Sequence, residues 1–147
     1  MDTLTRKQRS ERMALIRSKN TKPELAVRSL LHAAGYRFRV HDRTLPGRPD
    51  IVFRRRRKVI FVHGCFWHGH VGCKIANIPK SQTKYWVEKF TNNQLRDSKN
   101  LERLSSDRWK ALILWECEAK NLAKTRSALI KFLGSPKFAA KRRRHRD

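Results

Sequence analysis

A chain of 147 residues carrying 36 Lys and Arg against 12 Asp and Glu, a net charge of +24, has the size of one domain with one core. It is far too basic for an enzyme of small neutral metabolites, and the excess predicts a polyanion partner, most simply nucleic acid, with a solvated RNA-binding surface as the plainer version of that reading. No stretch reaches the roughly 18 apolar residues of a membrane span, the N-terminus lacks a secretory apolar core, and three cysteines suit a reduced, metal-binding compartment better than a disulfide framework, so a cytoplasmic protein is expected.

Residues 5–18 read as a basic helix or arm that brings Met13, Leu15 and Ile16 near its end. Thr21-Lys22-Pro23-Glu24 is a capping-box pattern with Pro early in the helix, where its missing N–H costs little. Val27, Leu30, Leu31 and Ala34 follow as one buried stripe, and Gly35 ends the helix. Tyr36 to His41 alternates as a half-buried strand does. The segment 45–50, LPGRPD, must turn, and it delivers Asp50 to a strand at 51–53. RRRRK forms an exposed tip, and Val59 to Val62 returns as an apolar strand suited to a sheet centre. A helix is expected over 82–105, with Thr91 as the place where it could break. A buried strand follows at 111–115, with Cys117 just past its end, then a helix over 119–133. The order predicts a mixed α/β sheet flanked by helices. One domain is expected over 1–135, its first 20 residues a basic helix or arm, with a basic tail over 136–147. The tip at 54–57 and the tail at 141–146 are candidates for a sequence-blind grip on phosphate; the tail has the alternative of a solubilising end.

Two groups of residues carry chemistry. Cys65, His70 and Cys73 are spaced C-x4-H-x2-C, and Cys117 supplies a further soft ligand; sulfur and imidazole at this spacing favour Zn²⁺ in a closed, structural site. His68 competes with His70 for the fourth place. If the strands before Cys65 and Cys117 are neighbours, both sulfurs emerge at one sheet end. The second group is hydrolytic. Asp50 is fixed where turn becomes strand and can hold Mg²⁺, with the main-chain carbonyl of Val62 and the imidazole of His63 at the end of the partner strand. Glu24 can reach the same point, and His68 lies a few residues on. Each has a duller reading: a capping carboxylate for Glu24, a turn residue for Asp50, a satisfied strand-end histidine for His63.

Residues 45–53 (LPGRPDIVF), 59–68 (VIFVHGCFWH), 83–89 (TKYWVEK) and 113–117 (ILWEC) together resemble the very-short-patch-repair (Vsr) mismatch endonucleases, zinc-containing relatives of the PD-(D/E)XK nucleases. The resemblance runs from about Thr5 to Cys117 and implies a restriction-endonuclease-like fold. It implies Mg²⁺ at Asp50, active-site histidines at His63 and His68, a supporting Glu24, and zinc on Cys65, His70, Cys73 and Cys117. It implies that Phe66 and Trp67 push into the base stack beside a mismatched thymine, that Met13 assists from the minor groove, and that Lys89 and Asn93 touch the mismatched pair. Two departures stand out. Val62 occupies a place where a threonine is usual, and the Cys65–Cys73 loop is one residue longer, which keeps His68 and His70 both open as ligands. The activity so implied is a nickase cutting one strand of double-stranded DNA at T:G mismatches, acting as a monomer with repair or defence proteins nearby. The alternatives are a nickase of this kind with another DNA specificity, as in defence, and a zinc-stabilised DNA-binding protein that does not cut.

Overall fold

A computed structural model of the chain describes residues 5–7, 20–65, 68, 70, 73 and 83–136. Met13, Phe66, Trp67 and the tail at 141–146 lie outside the described residues. The elements bounded within the described residues follow in the order α1 (Lys22–Ala33), β1 (Arg39–Val40), β2 (Ile51–Phe53), β3 (Lys58–His63), α2 (Thr83–Ser106), β4 (Lys110–Trp115), α3 (Glu116–Ala119) and α4 (Leu122–Leu133). The sheet order is β1-β2-β3-β4. The first three strands pair antiparallel and β3 pairs parallel with β4, Val62 opposite Leu114 and His63 opposite Trp115.

Both faces of the sheet are covered, which is why β2 and β3 are apolar without alternation. On one face Ile51, Phe53, Ile60 and Leu114 pack with Val27 and Leu31 of α1 and Leu129 and Leu133 of α4. On the other, Val52, Val59 and Phe61 pack with Leu104 of α2 and with Trp109. Among the described residues, no helix is long and apolar enough to cross a membrane.

Local chemistry sets the boundaries. Thr21 caps α1 by accepting from the Glu24 N–H, but the Glu24 carboxylate accepts from the N–H of Asn20. Only half of the capping box is therefore made in the usual way, and the rest of that carboxylate is free for other work. Gly35, at φ 93°, closes the helix, and the Tyr36 N–H bonds back to the Leu31 carbonyl.

The strand expected over 36–41 shrinks to two residues. Tyr36 is drawn inward by this cap and by its hydroxyl's bond to the Gly134 carbonyl, and His41 leaves the extended region at φ 50°. Helix α2 runs unbroken through Thr91, whose hydroxyl returns a bond to the Val87 carbonyl at 2.8 Å instead of competing with the helix. The final helix starts later than 119: α3 ends at Ala119 and Asn121 caps α4 by accepting from the Lys124 N–H.

The arginine tip is a turn, largely exposed as expected, and its side chains also have partners within the fold. Arg56 donates to the carbonyls of Leu133 and Ser135 at the end of α4, Arg57 to that of Asp107, and Arg54 pairs with Asp42. Arg56 and Arg57 thereby staple helix ends to the sheet. They also sit at the start of β3, about 16 Å from His63 at its end.

The LPGRPD turn positions Asp50. Arg48 N–H bonds to the Leu45 carbonyl, Gly47 lies at φ 79°, and Pro49 is buried. A methyl on Gly47 would stand 3.1 Å from both Phe61 Cε1 and Asn100 Cβ. Gly47→Ala is expected to cost about 1–2 kcal/mol from backbone strain, read as a lower denaturant midpoint at unchanged slope.

Candidate active site and metal centre

The sheet end where β3 and β4 finish gathers three clusters in sequence along one rim. The first is built on Asp50. Its Oδ2 accepts from the Val62 N–H at 2.7 Å. The N–H and C=O of a strand residue face the same edge, so the Val62 carbonyl faces the Asp50 side as well. Glu24, only 6% exposed, reaches from α1 and accepts through Oε2 from Arg28 (3.0 Å) and stands 3.1 Å from Nε2 of His41. Ligand atoms of Glu24, His41 and Asp50 all lie within 4.8 Å of one another. Burial, ahead of the nearby Glu24 charge, pushes the Asp50 carboxyl up to about 7 against the pull of the Val62 N–H and Arg28. Carboxylates held this close want a proton or a cation between them.

One residue beyond Val62 begins the second cluster. His63 is buried, and its ring stacks on that of His68 with centroids 3.7 Å apart and planes 4° from parallel. His68 Nδ1 meets Asp97 Oδ2 of α2 at 2.6 Å. Burial, then the neighbouring His68, pushes the His63 imidazole down to about 4, so it is neutral at physiological pH. Its Nδ1 is buried and has no hydrogen-bond partner among the described residues. A neutral imidazole with an unspent nitrogen is equipped to exchange a proton or a hydrogen bond with an incoming group.

The third cluster is Cys65, His70, Cys73 and Cys117, whose ligand atoms also lie within 4.8 Å of one another. The parallel pairing of β3 with β4 brings the first and last together, as neighbouring strands should. The short helix α3 carries Cys117 back so that its N–H donates to the Cys65 sulfur at 3.4 Å, and Glu116 accepts from the Cys65 N–H at 3.2 Å. His70 Nδ1 stands 3.5 Å from the Cys117 sulfur, and its ring stacks on Trp115 at 4.1 Å. The choice between histidines is thereby resolved in the geometry: His70 turns to the sulfurs and His68 to Asp97. Burial pushes the Cys65 thiol up to about 12, and burial raises that of Cys117 as well. A soft divalent ion would displace those protons. Tetrahedral ligands at the usual zinc–sulfur bond length stand about 3.8 Å apart, which this donor set accommodates.

Lys89 and Asn93 share with Asp97 one half-buried side of α2, at steps of four residues. Asp97, His41, Arg28 and Glu116 were not singled out by reading the sequence. The rim thus holds Glu24, Asp50, Asp97 and Glu116, a third of the 12 acidic residues in the chain.

Carboxylates grouped so that they could hold a cation, imidazoles beside them, and a strongly basic chain around them fit one class: an enzyme acting on nucleic acid. The family model for DNA mismatch endonuclease Vsr matches residues 1–74. The chain belongs to this family and is a DNA endonuclease. It is 49% identical over 132 residues to the type II nicking enzyme V.XorIIP of Xanthomonas oryzae pv. oryzae, covering 90% of this chain and 96% of that one. It is 44% identical to the type II nicking enzyme V.NmeAIP of Neisseria meningitidis serogroup A, covering 94% and 98%. With the DNA mismatch endonuclease Vsr of Escherichia coli K12 it shares 43% identity over 116 residues, 79% of this chain and 74% of that protein. The reading as a binding protein that does not cut is set aside on these grounds.

Proposed function

We propose that this endonuclease nicks one strand of double-stranded DNA at a T:G mismatch, with Mg²⁺ as its catalytic ion and zinc as a structural one. The observation that carries the reading is the Asp50 carboxylate, raised in its affinity for protons, tied to Val62 and one residue from the stacked His63–His68 pair. Asp50 and the Val62 carbonyl would hold the ion, and Glu24 would support it; the ion supplies Lewis acidity toward the phosphate and activates water. His68, oriented by Asp97, takes up or returns a proton on the reacting oxygens. His63, kept neutral, holds His68 by stacking and offers its own nitrogen to the phosphate. Cys65, His70, Cys73 and Cys117 close a zinc clasp that keeps the loop carrying His68 in place.

Asp97→Asn is expected to lower the single-turnover nicking rate about 10²-fold with DNA affinity unchanged, because His68 then loses its charged partner. An unaltered rate would remove Asp97 from the site.

Recognition is assigned to Phe66 and Trp67, wedged beside the mismatched pair, with Met13 opposite and Lys89 and Asn93 touching the pair. Unstacking costs a few kcal/mol and least where pairing is already imperfect, so a wedge selects mismatches. Replacing both aromatics by Ala is expected to lower nicking of T:G duplex relative to T:A duplex by at least about tenfold. Equal loss on the two substrates would argue against the wedge. The identity to proteins named type II nicking enzymes supports a second reading, in which the same chemistry serves another DNA specificity. A panel of mismatched, paired and methylated duplexes separates the two.

A further inference from the structure

His41 follows β1 and is turned by a φ of 50°. Its N–H bonds to the Asp50 carbonyl at 3.2 Å, which extends the β1–β2 ladder by one step and ties His41 to the residue bearing the key carboxylate. The ring Nε2 lies 3.1 Å from Glu24 Oε2, and both face one Arg28 guanidinium nitrogen, at 3.3 and 3.0 Å. Two ligands bound about 2.1–2.2 Å from an octahedral ion at right angles stand about 3 Å apart, so this nitrogen and oxygen are spaced as neighbouring ligands. Glu24, His41 and Asp50 offer their ligand atoms within 4.8 Å of one another. Two carboxylates against one guanidinium leave negative charge over for a divalent ion.

We propose that His41 is a nitrogen ligand of the catalytic metal seat and shifts its preference from Mg²⁺ toward Mn²⁺. Imidazole strengthens binding of transition ions, whereas Mg²⁺ favours oxygen donors. The inference rests on the Asp50 metal seat proposed above and adds to it the donor that decides which ion sits there. A bridging role, in which His41 merely hydrogen-bonds Glu24, is the competing explanation, and glutamine can take it over where it cannot replace imidazole as a ligand.

The test uses the full-length, zinc-loaded protein, in which zinc is silent to electron paramagnetic resonance, titrated with Mn²⁺ alone. Pulsed spectra of the bound Mn²⁺ are expected to show coupling to a directly ligated ¹⁴N that is absent in His41→Gln. That variant is expected to bind Mn²⁺ about tenfold more weakly, with a much smaller change in Mg²⁺ competition. No ¹⁴N coupling in the wild type, coupling that persists in His41→Gln, or equal Mn²⁺ affinity in the two proteins overturns the proposal. Asp50→Asn tells the two levels apart. If it abolishes Mn²⁺ binding while His41→Gln leaves both the Mn²⁺ affinity and the spectra unchanged, the seat stands and the nitrogen ligand falls; if Mn²⁺ binding survives Asp50→Asn, both fall.

Discussion

Asp50→Asn is expected to abolish nicking, by about 10³-fold or more, while making the zinc-loaded, Mg²⁺-free protein more stable above pH 7. The first effect follows from losing the anionic ligand that would hold the catalytic ion, worth several kcal/mol in the transition state. The second follows from linkage. The Asp50 carboxyl is raised from 3.8 to about 7 in the fold. Between about pH 4 and pH 7 the folded chain therefore holds a proton that the unfolded chain has lost, so stability falls as pH rises through that window, and the penalty is fully present above pH 7. A raised carboxyl of this size costs on the order of 2–4 kcal/mol when ionised. Asn keeps an oxygen for the Val62 N–H and carries no charge, so the variant is expected to melt several degrees higher at pH 8 and about equally at pH 4. Melting curves of the zinc-loaded protein at the two pH values, without Mg²⁺ or Mn²⁺, check it. A variant less stable than wild type at pH 8 would mean that the carboxylate is not strained by its surroundings.

Removing zinc is expected to be the most damaging single change to the fold. Cys65 is fully buried, and a zinc on the four-ligand cluster would tie Cys65, His70 and Cys73 to Cys117 of α3, 52 positions beyond Cys65. Structural zinc sites contribute ~10–16 kcal/mol of apparent binding energy. Protein purified without chelator is expected to carry one zinc per chain. Stripping it, or replacing Cys117 by Ser, should lower the melting temperature by at least about 10 °C. Nicking should disappear even in excess Mg²⁺, because His68 hangs on the same loop. Elemental analysis without zinc, or a melting temperature indifferent to chelation, would count against the clasp.

Much of this site was legible where function and local spacing coincide. The C-x4-H-x2-C run, the turn that must end at Asp50 and the apolar strands each announce themselves within a dozen residues. Cys117 was reachable because it follows a buried strand by the same short step as Cys65. What stayed hidden are partners made only by folding. His41 meets Glu24 from 17 positions away and Asp97 meets His68 from 29, with no periodicity linking either pair. Asp97 stands in a basic amphipathic helix, where one acid looks like surface. The arginine tip holds a second layer of the same kind: two of its four cations, Arg56 and Arg57, also bond main-chain carbonyls at helix ends, a use that a run of like charges does not announce. The unbroken α2 shows the same limit, since the hydroxyl of Thr91 is absorbed by its own helix.

The central claim is that a zinc clasp and the hydrolytic carboxylate flank the cut phosphate at the sheet end where β3 finishes. Anomalous diffraction from a complex with a T:G duplex, recorded at the zinc and manganese edges with Mn²⁺ in place of Mg²⁺, tests it most directly. The account predicts a zinc peak among Cys65, His70, Cys73 and Cys117, and a manganese peak on Asp50 against a backbone phosphate. A manganese peak away from Asp50, or DNA seated at the opposite sheet end beside residues 54–57, would contradict it.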